Sequence, residues 1–117
     1  MSLIKVLVCG GRDYSDYGKI YDTLDEIHEH EPITKVIHGT ASGADDCGKT
    51  WANSRGIKED PYPPDWKKYG LAAGPIRNQQ MIDEGQPDLV IAFPGGKGTK
   101  DMITKAEKAG ILVKKVD

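Results

Sequence analysis

The sequence is poor in the features that announce most protein classes. It has 2 cysteines in 117 residues, Cys9 in an apolar run and Cys47 in a helical pattern. That is too few for a disulfide scaffold and too scattered for a zinc site, so both read as buried free thiols. No apolar run approaches the roughly 20 residues that span a bilayer, and the start of the chain passes directly into a strand-like pattern ending at Cys9. The expectation is a cytoplasmic protein with no membrane association. An excess of charge of one sign is also lacking. Charged residues make up 29% of the chain but the formal net charge is −2, which provides no broad field for DNA, RNA or an anionic surface. Nucleic acid is a disfavoured partner.

Several chemical signatures are missing too. There is no GxSxG elbow, no GxGxxG dinucleotide fingerprint, and no metal-ligand spacing among Cys9, Cys47, His28, His30 and His38. Nucleophilic and metal-based catalysis are disfavoured, and no metal is expected. One apparent signature is accidental: residues 43–50, GADDCGKT, fit the pattern GxxxxGK[ST]. Asp45 and Asp46 would put two negative charges inside the phosphate cradle, and a helical face runs straight through the supposed loop. The apolar run that ends in Ala92 and Phe93 also lacks the aspartate that would hold magnesium.

What the chain does have is alternation. Short apolar runs lie at 3–9, 35–38, 88–93 and 111–116, with a weaker strand pattern at 57–62. Between them, Ile20, Leu24 and Ile27 mark a helix that ends before Pro32. Ala44, Gly48, Trp51 and Ala52 mark a second, with Ser42 as candidate N-cap, Asp45 as its capping-box partner, and a stop near Gly56. Pro61, Pro63 and Pro64 predict an irregular segment carrying Trp66 and Tyr69, after which Gly74-Pro75 opens a third helix. Met102, Ile103, Ala106 and Ala109 line a fourth, closed by Gly110. Five strands alternating with four helices predict an α/β fold: one doubly wound domain over residues 1–117, its five-stranded sheet mostly parallel and covered by helices on both faces.

Such a sheet binds ligands beyond the carboxyl ends of its strands, where four loops gather: 10–13, 39–45, 62–78 and 94–99. In the last, Pro94, Gly95, Gly96, Lys97, Gly98 and Thr99 form a glycine-rich turn before a helix starting near Thr99. Its backbone can approach a ligand closely and aim unpaired N–H groups at an anion, so phosphate is the first ligand to expect. Gly10 and Gly11 permit similar approach, and Arg12 can form a bidentate bond to phosphate. Gly39, Ser42 and Gly43 supply small residues and a hydroxyl at another helix start, where capping and ligand binding can coexist. His38 at a strand end reads as a hydrogen-bonded structural histidine. Arg77 and Asn78 share a helical face with Met81 and Ile82, so they are either buried with partners or reach a ligand, and an arginine in a first helical turn favours the ligand. Trp66 and Tyr69 could stack on a nucleobase or pack beneath the proline-rich loop.

Together these motifs resemble the YspA-like branch of the SLOG superfamily. They occur in its order: Gly10-Gly11-Arg12-Asp13, His38-Gly39 with Ser42-Gly43-Ala44-Asp45, Asp65-Trp66, Gly74-Pro75-Ile76-Arg77-Asn78 with Met81, and the Pro94–Thr99 loop. The resemblance implies a Rossmann-like fold that binds a nucleotide or an ADP-ribose-like derivative, with phosphate in the glycine loop, Arg77 nearby, and no further cofactor required. It also brings two distant relatives into view, the lonely-guy phosphoribohydrolases, which release a base from a nucleoside 5′-monophosphate, and the single-stranded-DNA-handling DprA proteins. The hydrolase motif reads PGGxGTxxE with a catalytic glutamate. Arg77 matches the hydrolases' catalytic arginine, but Met102 stands where that glutamate would be. Base cleavage would therefore need a displaced carboxylate, Asp13 or Asp45. The related enzymes are commonly dimers, which implies a homodimer. The resulting order of expectations is nucleotide binding first, base cleavage second and single-stranded DNA third.

Overall fold

The computed structural model describes residues 3–117; Met1 and Ser2, with which the expected domain begins, lie outside them. Five strands form one sheet in the order β3-β2-β1-β4-β5, where β1 is Ile4–Cys9, β2 Ile33–His38, β3 Lys58–Pro61, β4 Leu89–Ala92 and β5 Leu112–Lys115. Every pairing is parallel, so the sheet is wholly rather than mostly parallel. This is the Rossmann-like α/β arrangement that the alternation predicts. The two outer strands are short and carry charge at Lys58, Glu59, Lys114 and Lys115, which discourages pairing with another chain.

The period of two in the strands divides the core. Ile4, Val6 and Val8 face α1 (Tyr17–His30) and α2 (Ala44–Ser54), joining Ile20, Leu24, Trp51 and Ala52 in one cluster. Leu7 and Cys9 point the other way, toward α4 (Ala73–Gln80) and α5 (Lys97–Lys108), and meet Met81, Ile82, Met102 and Ala106. Val6, Leu7, Val8, Val36, Ile37, Val90 and Ile91 are wholly buried, and each such side chain contributes roughly 1.5–3 kcal/mol. Gly48 lets α2 lie close on β1, because a Cβ there would sit 3.1 Å from Val8. Among the described residues no helix is long and apolar enough to cross a membrane.

Three helix starts differ from the sequence pattern. The N-cap of α2 is Gly43, with no side-chain cap, so the capping box between Ser42 and Asp45 does not form. Ser42 Oγ donates instead to the Arg12 carbonyl, and Asp45 accepts from the Gly39 and Ala41 amides. The cause is tertiary: Gly43 takes φ +74°, its missing Cβ leaving room for the carbonyls of Gly11 and Arg12. The segment carrying Trp66 and Tyr69 is also not irregular. It forms a short helix, α3 (Trp66–Tyr69), capped by Asp65, and continues through a 3-10 turn, Gly70–Ala72, into α4. Pro75 therefore lies in the third position of α4 rather than opening it, where its lost N–H is still one the helix leaves unpaired. Last, α5 begins at Lys97, not near Thr99, which moves Lys97, Gly98 and Thr99 from the loop into the first turn.

Candidate functional site

The order of the strands reverses between β1 and β4, and the chain leaves these neighbours toward opposite faces. A cleft is unavoidable at such a point. Its floor is tightly built: Phe93 N donates to Cys9 O at 2.9 Å and Gly11 N to Pro94 O at 2.8 Å, which ties the loop after β1 to the loop after β4. Gly10 is obligatory here, since a Cβ would lie 2.6 Å from that of Ala44. A cavity of about 620 Å³ opens above this floor, between the two loops, α4 and the start of α5. A smaller one of about 250 Å³ adjoins it, and Arg12, Ala41, Trp66 and Arg77 border both.

One wall is the amino end of α5. No side chain caps this helix and no acidic residue stands in its first turn. By contrast, Asp16 caps α1, Asp65 caps α3, and α2 has Asp45 and Asp46 in its first turn. Among the described residues none accepts from the N–H groups of Gly96, Lys97, Gly98 or Thr99, all four of which line the cavity. The positive end of the helix dipole and its free donors therefore face open space. A Cβ at Gly96 or Gly98 would meet nothing within 4 Å, whereas the missing Cβ of Gly95 makes room for Thr99 Oγ1 and for Gly11 N at 2.7 Å. Gly95 is thus required by packing, while Gly96 and Gly98 are not.

The opposite wall carries Arg77. Its Nη1 donates to the Gly39 carbonyl and its Nε to Asn78 Oδ1 at 3.1 Å. Gly39 has no room for a Cβ, which would overlap the guanidinium. Burial draws the Arg77 pKa below its usual value, Asp45 opposes that, and the nearby Arg12 cation reinforces it. Burial pushes the Asp45 pKa up, against the amides of Gly39 and Ala41 and the charge of Arg77. Asn78 is buried, and its amide donates to Gly98 O at 3.2 Å and Asp101 Oδ2 at 3.0 Å. Asp101 in turn pairs with Lys105. Asn78 therefore braces the first turn of α5, and its side chain is bonded to protein on both sides. Arg12 is free by comparison: it is paired with no carboxylate among the described residues, and its guanidinium lies 5.9 Å from the centre of the Trp66 ring.

The structure brings most of the sequence-predicted residues together. Gly10, Gly11, Arg12, Asp45, Arg77 and Asn78 line the larger cavity with the four residues of the α5 turn. Gly39 and Ser42 border the smaller one. Gly43, Pro94 and Gly95 line neither cavity and serve the backbone instead, while Asp13 is exposed and lies outside both linings. His38 is buried, accepts from Thr40 N on Nδ1 and so donates from Nε2 to Glu59 at 2.8 Å, a structural arrangement that lines neither cavity. Sequence patterns missed Cys9, Leu71, Met81, Asp101 and Met102 as lining residues. Four are apolar and look like core, and three of those do double duty, since Cys9, Met81 and Met102 are buried members of the core cluster. Burial pushes the Cys9 thiol up to about 12, so it is an inert part of the floor.

A family model described as YspA, cpYpsA-related SLOG matches residues 4–69, the stretch that holds the first two cavity loops. The Gene 61 protein of Mycobacterium phage D29 is 38% identical to this chain over 117 aligned residues, covering 93% of each. With the switch-point cleft and the motifs placed around it, these likenesses show that the chain belongs to the YspA, cpYpsA-related SLOG family, a membership that points to nucleotide-related binding.

Proposed function

We propose that this cleft binds a phosphorylated nucleotide or an ADP-ribose-like derivative, with a phosphate at the first turn of α5. One observation carries the reading: α5 presents four unbonded amides to a cavity, with neither cap nor acidic side chain, at the point where such sheets take their ligands. A phosphate there would complete the helix as Asp16 completes α1. Arg77, fixed by Gly39 and Asn78, then supplies a preorganised charge from the facing wall, and Arg12 a mobile one. Two arginines without carboxylate bridges between them also accommodate a second phosphate. No cofactor is needed for this role.

Differential thermal stability tests it. AMP or ADP-ribose at about 100 times its Kd should stabilise the protein by about 2.7 kcal/mol, and Arg77→Ala should remove that stabilisation. A nucleotide panel that leaves the melting temperature of the wild type unchanged would refute the proposal.

Cleavage of the N-glycosidic bond of a nucleoside monophosphate is a second reading, favoured by Asp45: a cavity-lining carboxylate with a raised pKa has the character of a general acid. Its Oδ2, however, already accepts two amides, and Asp101 is taken up by Asn78 and Lys105. Binding is the better supported role. Release of free base from AMP, lost in Asp45→Asn, would reverse that order, and inertness toward purine and pyrimidine monophosphates would remove the second reading.

A further inference from the structure

We infer that Trp66 is the platform on which the nucleobase stacks, and that it makes the site prefer a nucleotide to a bare sugar phosphate. This rests on the phosphate position proposed above. Every residue from Asp65 to Ala72 is exposed, and neither α3 nor the following 3-10 turn buries a side chain. A strap holding Trp66, Tyr69 and Leu71 would ordinarily be tucked against the core, because apolar burial is what orders such a segment. Here Trp66 is 47% and Leu71 96% exposed, yet both line the cavity.

The indole nevertheless has a neighbour on each of two elements. Arg12 approaches its ring, and its Cη2 would lie 3.7 Å from a Cβ at Gly74 on α4. The ring thus spans the mouth from the loop after β1 to α4, half exposed and bordering both cavities. Across the cavity stand the free amides of α5. An occupant with its anionic end on those amides therefore presents its other end to an indole that shares the lining with Leu71 and Pro75. The chemistry that matches a flat apolar π surface is an aromatic base, which stacks without needing a particular hydrogen-bonding edge. A sugar or a second phosphate makes no use of it.

Calorimetric titration of the full chain with AMP and with ribose 5-phosphate tests this, using wild type, Trp66→Ala and Trp66→Phe. Wild type should prefer AMP to ribose 5-phosphate by roughly tenfold or more. Trp66→Ala should lose most of that preference with its ribose 5-phosphate affinity unchanged, and Trp66→Phe should retain most of it. Indole emission should shift when AMP binds wild type and stay constant in Trp66→Phe, where only buried Trp51 remains. Equal weakening of both ligands in Trp66→Ala, or an unchanged preference, would overturn the assignment while leaving the phosphate site intact. A wild type that binds neither ligand would overturn both. Conversion of a dimer to a monomer by Trp66→Ala, with AMP affinity unchanged, would make the strap an interface between copies and also overturn the assignment.

Discussion

Gly98→Ala separates a glycine kept for a ligand from one kept for the fold. Gly98 is the second residue of α5, and a Cβ there meets no protein atom within 4 Å. No left-handed backbone argues for glycine either, since the positive-φ glycines are Gly43, Gly56, Gly70 and Gly110. Alanine at a compatible helical position restricts the unfolded chain and stabilises by about 0.4–1 kcal/mol, which raises the melting temperature of a domain this size by about 2–5 °C. Helical Cα–Cβ bonds tilt toward the amino end, so the new methyl leans into the space in front of the free amides. On the proposed binding mode it would occupy space that a phosphate oxygen needs. The variant should therefore be more stable than wild type without ligand and should gain less from AMP or ADP-ribose, forfeiting most of the roughly 2.7 kcal/mol expected at 100 times the Kd. Thermal unfolding followed by circular dichroism, with and without nucleotide, reads both quantities at once. A lower melting temperature for the free variant, or an undiminished ligand shift, would refute the reasoning.

Two further substitutions probe the facing wall. Asn78→Asp replaces an amide that donates to Asp101 with a second carboxylate, so it should cost about 2–3 kcal/mol at neutral pH, with part of the loss recovered as acid protonates the pair; urea titrations at pH 7 and 4.5 that show equal losses would contradict the brace. Asp45→Asn keeps an oxygen for the Gly39 and Ala41 amides and removes the buried charge. Because burial raises the folded pKa of Asp45 above its unfolded value of about 3.9, the folded state holds the extra proton between those values, and stability from this group rises as pH falls through that window. Wild type should gain on Asp45→Asn as pH drops from 7 toward 4, and a constant difference in melting temperature would show that Asp45 is not desolvated.

The layers of the fold were legible because parallel strands buried on both faces leave continuous apolar runs, as at Val6-Leu7-Val8 and Val90-Ile91. Helix starts were less so. Ser42 and Asp45 have the right spacing for a capping box, but the carbonyls that Gly43 must accommodate belong to Gly11 and Arg12, about thirty residues away in sequence. Local pattern cannot see a competitor that arrives through tertiary contact. The Trp66–Tyr69 helix failed for a different reason: Asp65 is a good N-cap, but three nearby prolines outweighed it, although proline just before a cap is compatible with a helix.

The two ends of the cavity differ in the same physical way. A site built from backbone amides requires glycine and leaves a readable mark, and Gly10, Gly11, Gly96 and Gly98 all line the cavity. Its apolar parts leave none, since Cys9, Met81 and Met102 are chosen for the core and line the cavity with what remains exposed. Met102 shows why this matters for chemistry. On the proposed hydrolytic reading a carboxylate would stand at its position, and whether a neighbour could stand in for it depends on contacts between distant elements. Asp101, one residue earlier, faces the cavity with its carboxylate bonded to Asn78 from α4 and to Lys105 one turn on. A side chain that braces the first turn of α5 through two bonds loses those bonds if it moves to act on a substrate. The residue next to Met102 is thus tied to bracing α5, and on the proposed hydrolytic reading Asp45 is the carboxylate that lines the cavity without that duty.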